Sequence, residues 1–177
     1  LFYSTVQHQG FPDRFNNKTN MIDKQLSSYI GVGRAKCMRS DLYSDSHTIA
    51  TIQTVPDDDP LCVSGAKDPV QKALLIGDSF GNHYWGFMDV LGKDAKMSIR
   101  SNTTTGCLAL PNIYIYDWNQ KIYESCYQNV KNYYQSIKDH HFQYVILGQR
   151  WRSYLGNQVV ENPNDVRSFE LSKSRFK

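Results

Sequence analysis

The hydroxyl best placed to do chemistry is that of Ser79. It closes the tripeptide Gly77-Asp78-Ser79, which directly follows the apolar run Leu74-Leu75-Ile76. A short apolar run ending in Gly suits a buried parallel strand. A Ser between such a strand and a helix stands on a tight turn at the sheet edge, where main-chain N–H groups can stabilise an oxyanion. An unactivated Ser is a weak nucleophile and needs a neighbouring base. The plain structural alternative is a helix N-cap, since Gly-Asp-Ser is common in turns.

The other chemistry-bearing residues are His and Cys. His83 lies four residues after Ser79, on the helix predicted to follow it, and suits lining a site better than serving as its base. His140-His141 closes a predicted helix and suits a C-terminal dipole role. His8 and His47 lie far upstream. The four Cys form no C-x-x-C pair and the five His are not at ligand spacing, so no metal site is expected. Cys37, Cys62, Cys107 and Cys126 allow three pairings. The sequential one closes two local loops, each worth about 3 kcal/mol, and requires an oxidising compartment. Four buried free thiols are the other reading.

The elements that must position these residues follow from patterning. Residues 1 to 70 read as an irregular extension, with a turn at Gly10-Phe11-Pro12, polar loop over 16–20 and a short helix over 21–30. After Pro69, strands and helices alternate. Strands are predicted over 72–77, 96–101 and 142–148, the first and third as buried strands, and a helix over 82–92. A loop over 102–116 holds Cys107 and Pro111. Asp117, with Gln120 three residues on, reads as the cap of a helix over 117–138. Alternation of this kind implies right-handed crossovers and a parallel sheet, with ligands at the carboxyl ends of its strands. Ser79, the loop after Ser101 and Gly148-Gln149-Arg150-Trp151 then share one edge.

Bulk properties bound the class. The 177 residues suit one domain with a sizeable core. Net charge is +3, from 20 basic and 17 acidic residues, too balanced to argue for nucleic acid. No apolar run approaches the roughly 18 residues that cross a bilayer, and no signal-peptide pattern opens the chain. A start at Leu1 suggests a piece of something longer, delivered across a membrane by an upstream segment. Aromatics make up 13 %, led by 12 Tyr, a composition compatible with stacking on sugars or with core and interface packing. Two glycosylation-type triplets, Asn17-Lys18-Thr19 and Asn102-Thr103-Thr104, are matches expected by chance.

Leu75-Ile76-Gly77-Asp78-Ser79 resembles the first block of the SGNH (GDSL) hydrolase superfamily. The chain is more specifically similar to the SGNH domains fused behind membrane acyltransferases of the acyltransferase-three family, which O-acetylate bacterial lipopolysaccharide and related glycans. Gly10-Phe11-Pro12-Asp13-Arg14-Phe15 resembles the joining segment, Thr105-Gly106-Cys107 with Pro111 the second block, and Val145-Ile146-Leu147-Gly148-Gln149-Arg150-Trp151 the third strand with its Arg-Trp ending. The four Cys sit where such domains place two bridges.

The resemblance implies a three-layer α/β/α, flavodoxin-like parallel sheet over 71–177, preceded by an extension over 1–70 that joins it to the membrane part. It implies a Ser79 acyl-enzyme that passes an acetyl group to a sugar hydroxyl of O-antigen, lipopolysaccharide or a related glycan. The oxyanion donors would be Ser79, Gly106 and Arg150, with Arg150 standing where the superfamily has an Asn. His83 and Trp151 would contact substrate. It implies no cofactor beyond an acetyl donor, acetyl-CoA used by the membrane domain, and places the domain in the periplasm as part of an inner-membrane protein. The family's base comes from an Asp-x-x-His motif, a spacing absent here, so the expectation is that the Asp and His lie beyond Lys177 and that the SGNH part is incomplete. A carbohydrate acetylesterase and a non-catalytic glycan-binding module are the competing readings.

Overall fold

The structure is a computed structural model that describes residues 16–21, 37–39, 60–156 and 159–166. The chain divides into two compact units, Leu1–Val32 and Gly33–Lys177. In the first, residues 17–21 are helical. Asn16 caps them: its Oδ1 accepts from Thr19 N at 2.9 Å and from Thr19 Oγ1 at 3.1 Å. The segment expected to be polar loop is therefore a capped first turn, because Asn-x-x-Thr satisfies the N–H groups that a helix start leaves open. The helix expected over 21–30 otherwise lies outside the described residues, as does the Gly10–Phe15 joining motif.

The second unit is built on a mixed five-stranded sheet. Its strands are β1 (Met38–Arg39), β2 (Val63–Gly65), β3 (Gln71–Gly77), β4 (Met97–Thr104) and β6 (Tyr144–Gly148). The order is β1-β4-β3-β6, all parallel, with β2 antiparallel on the same side of β4 as β1. Residues read as irregular thus supply two short strands. A second, two-stranded sheet pairs β5 (Tyr114–Ile115) with β7 (Val159–Val160). The helices are α1 (Ser79–His83), α2 (Trp85–Asp94) and α3 (Glu124–Asp139).

The sheet carries a layer on each face, because successive β3 side chains point opposite ways. Ala73 and Leu75 pack with Ile99 and with Met88 of α2. Leu74 and Ile76 pack with Leu108, Tyr123, Val130 and Tyr133 on the α3 side. On α3 the buried positions Cys126, Asn129, Val130, Tyr133 and Ser136 recur at helical spacing, the stripe that docks it. The fold is α/β, as the patterning implies.

Four local expectations differ from what is seen. The helix expected over 82–92 starts earlier, at Ser79, and breaks at Tyr84, whose N–H turns back to Gly81 O at 3.1 Å. β4 runs on to Thr104 through polar residues that a hydrophobic pattern does not mark as strand; Ser101, Thr103 and Thr104 are fully buried. Asp117 caps no helix. Its Oδ1 accepts from Lys121 N at 2.9 Å, Gln120 has φ +62°, and Tyr116 bridges Ile122, so the segment is a hairpin tip and α3 begins at Glu124. The third strand forms, but Tyr144, Val145 and Leu147 are exposed. An apolar run specifies an element, whereas its burial depends on what covers it.

Candidate active site

β3 delivers Ser79 to the sheet edge. Gly77 ends the strand, Asp78 is extended at φ −98° and ψ −162°, and Ser79 opens α1, half-buried. Asp78 is the N-cap: its Oδ1 accepts from Phe80 N at 2.8 Å. Its second oxygen, Oδ2, accepts from Arg150 N at 2.9 Å and from the Tyr154 hydroxyl at 2.8 Å. One carboxylate, only 2 % exposed, therefore latches the Ser79 turn to the segment after β6. Burial, and then the Asp78 carboxylate, push the Tyr154 phenol far above its ordinary pKa, so Tyr154 stays a neutral donor.

The same junction is closed by backbone contact. A Cβ on Gly77 or on Gly81 would run into the Gly148 carbonyl oxygen, and one on Gly148 would sit 2.8 Å from Gly81 Cα. Absence of side chains lets α1, β3 and β6 approach one another at this point.

β4 delivers the second loop. Thr103 is in register with Gly77, so the two strands end level. A tight turn closes through Cys107 N to Thr104 O at 3.2 Å, with Gly106 at φ +62°, a conformation that favours Gly. The turn is fastened to α3. Cys107 is disulfide-bonded to Cys126, the Tyr123 hydroxyl donates to Thr105 O at 3.2 Å, and Thr104 Oγ1 meets the Tyr133 hydroxyl at 2.6 Å and Asn129 Nδ2 at 3.1 Å. The Cys37–Cys62 bridge joins the start of β1 to the start of β2. The sequential pairing is thus the one formed, and the four-thiol reading falls.

β6 delivers the third loop. Gly148 is level with Gly77. Gln149 Oε1 accepts from Ala109 N at 2.9 Å, tying this loop to the one that follows Gly106. The Arg150 guanidinium is exposed and lies 5.5 Å from the Phe80 ring centroid. On the same helix the exposed His83 ring stands 5.6 Å from Phe80, and Trp151 is 40 % exposed. Ser79, Gly106 and Arg150 thus come from three strands that end at one edge, where β3 is flanked by β4 and β6. His140 and His141 precede β6 and stand at the opposite end of the sheet. Among the described residues no group of three or more His, Cys, Asp or Glu could hold a metal, and no helix is long and apolar enough to cross a membrane.

A family model described as "SGNH domain (fused to AT3 domains)" matches residues 43–174. The chain belongs to that SGNH family. Its members are serine hydrolase- or acyltransferase-like, and the description couples them to AT3 domains. No curated protein and no solved structure matched the chain. The SGNH assignment rests on the stretch that carries all three loops. Pattern reading put Gln149 at this edge and Asp78 in the Gly-Asp-Ser block with no role for either, and missed Phe80 and Tyr154. Asp78 was legible as a cap, being acidic between a strand and a helix; its bonds to Arg150 and Tyr154 cross 72 and 76 residues and leave no local mark.

Proposed function

We propose that this SGNH domain transfers an acetyl group through a Ser79 acyl-enzyme to a sugar hydroxyl of O-antigen, lipopolysaccharide or a related glycan. The observation that carries the reading is the half-buried Ser79 at the carboxyl end of a central parallel strand, level with the Gly106 and Arg150 loops. Ser79 Oγ attacks the acetyl carbonyl, and its proton passes to a base of the Asp–His kind that the family uses. Main-chain N–H groups of Ser79 and Gly106 meet the oxygen that gains charge. A sugar hydroxyl then attacks the acyl-enzyme, and the exposed rim of Phe80, His83 and Trp151 offers it aromatic faces.

The AT3 coupling in the family description favours transfer over hydrolysis, with the membrane acyltransferase as partner and acetyl-CoA as its donor. Two disulfides fit a periplasmic site of action. Ser79→Ala in the full-length protein is expected to abolish glycan acetylation, read by mass spectrometry of the isolated glycan. Acetylation at the wild-type level would sink the nucleophile assignment.

A further inference from the structure

Between the Gly106 loop and α3 the chain forms the hairpin whose tip spans 117–121. The tip is tightly made. Asp117 N donates to Lys121 O at 2.8 Å, Lys121 N to Asp117 Oδ1 at 2.9 Å, and Gln120 N to Asp117 O at 3.2 Å. Trp118 stands on it and is 62 % exposed. The turn requires the Asp117 carboxylate and a left-handed residue at Gln120; it requires nothing bulky at position 118. An indole left in water forgoes the burial that normally accounts for so large a side chain. Its size is therefore surplus to folding.

Trp118 extends a run of aromatic residues. Ile115 is buried in the core, so Tyr114 and Tyr116 on either side of it face the other way. The Tyr114 ring stacks on Tyr127 of α3, with 4.0 Å between centroids and 8° between planes. Two residues beyond Tyr116 stands Trp118, followed by the exposed amides of Asn119 and Gln120. The foot of the hairpin is bonded to the site, since the Tyr123 hydroxyl donates to Thr105 O, beside Gly106, at 3.2 Å. Trp118 lies five residues from Tyr123, a reach of at most about 17 Å. Several linked sugars cover such a span and one does not. Ring faces set among amides and hydroxyls match the C–H face and hydroxyls of a pyranose. A projecting indole offers at most about 250 Å², far below the roughly 800 Å² per partner of a stable protein interface. With Asp117 and Glu124 beside Lys121, the hairpin makes no basic patch for a polyanion.

We propose that Trp118 forms a distal acceptor subsite, its indole stacking on one sugar of a glycan chain whose acetylated unit lies at Ser79. The inference rests on the transfer reading above and narrows its acceptor to an extended chain rather than a lone sugar. The contact takes no part in bond making; it holds the chain in place while Ser79 and the sugar hydroxyl react.

The test uses the full-length protein with 4-nitrophenyl acetate as acyl donor. The acceptors are de-O-acetylated O-antigen polysaccharide and the methyl glycoside of its acetylated sugar. Trp118→Ala is expected to raise KM for the polysaccharide about 10-fold, the change falling in KM and not in kcat, and to leave KM for the methyl glycoside where it was. Trp118→Tyr keeps a ring face and is expected to restore most of the loss. Wild-type KM for the polysaccharide in the alanine variant overturns the subsite. An equal rise for both acceptors also overturns it, since Trp118 would then touch the reacting sugar. A tyrosine variant as weak as the alanine one refutes stacking, and the proposal with it. Acetylation lost only in intact membranes, with KM for free polysaccharide unmoved, would make the indole a contact for the membrane domain instead. If the alanine variant does not fold, the wild type decides. Its Trp118 Nε1–H resonance is expected to shift with the polysaccharide and not with the methyl glycoside, and a resonance unmoved by both would overturn the assignment. Failure of a fluorophosphonate to label wild-type Ser79 removes the nucleophile reading itself, whereas labelling there with KM indifferent to Trp118 removes only the subsite.

Discussion

The Ser79 turn and the Gly106 turn face the same site, yet they are secured by different means. The Ser79 turn is held without a covalent tie. Three backbone segments meet at Gly77, Gly81 and Gly148, and one buried carboxylate gathers three donors across them. The Gly106 turn hangs from α3 by the Cys107–Cys126 bridge and a cluster of hydroxyl and amide bonds. The first is fixed by what side chains leave out, the second by what they add. Substitutions in the first should therefore act through crowding and lost acceptors. Reduction should act on the second alone.

The hardest way to break the Ser79 side is to add a carbon to it. Gly77→Ala is expected to cost more than about 3 kcal/mol, because the new Cβ meets backbone that cannot retreat. Gly156→Ala, where a Cβ meets nothing, is expected to stay within about 0.5 kcal/mol. Urea denaturation of the pair checks both. On the Gly106 side, the double variant Cys107→Ser/Cys126→Ser is expected to lose about 3 kcal/mol from its 19-residue separation, and dithiothreitol, which opens both bridges, should cost more. The loss under dithiothreitol that persists in the double variant is the share of Cys37–Cys62.

Asp78→Asn keeps the shape and exchanges an acceptor for a donor. With Arg150 N and the Tyr154 hydroxyl both donating to one oxygen, about 2 kcal/mol should be lost in the same assay. The smallest effect is read by pH. The folded-state pKa of Tyr154 is raised, so its contribution is complete below the unfolded tyrosine value and declines as pH rises past about 10. Unfolding free energy should fall there, and Tyr154→Phe should remove one proton's share of the slope, about 1.4 kcal/mol per pH unit. An unchanged slope would show that Tyr154 ionises freely in the fold.

The order of strands and helices around Ser79 was legible because β3 and α3 carry their periods plainly in Leu74-Leu75-Ile76 and in the Cys126–Tyr133 stripe. The polar end of β4 was not, since the partners of Thr104, Arg39 along the ladder and Tyr133 and Asn129 beneath it, are distant in sequence. The Asp117 hairpin misled for a related reason: Asp with Gln at +3 spells a cap, but Tyr123 N bonds Ile115 O and closes a hairpin first. In the site, residue types marked Ser79, and the family resemblance marked Gly106. The partners of Asp78 and of Gln149 depend on contacts that no window of sequence contains.

Arg150 divides its duties. Its main-chain N–H belongs to the Asp78 latch, while its guanidinium stands apart over Phe80. Any amino acid except proline brings the same N–H, so the frame is indifferent to which side chain position 150 displays. Selection is thus free to rewrite what this rim presents to an acceptor without reopening the question of whether the domain folds.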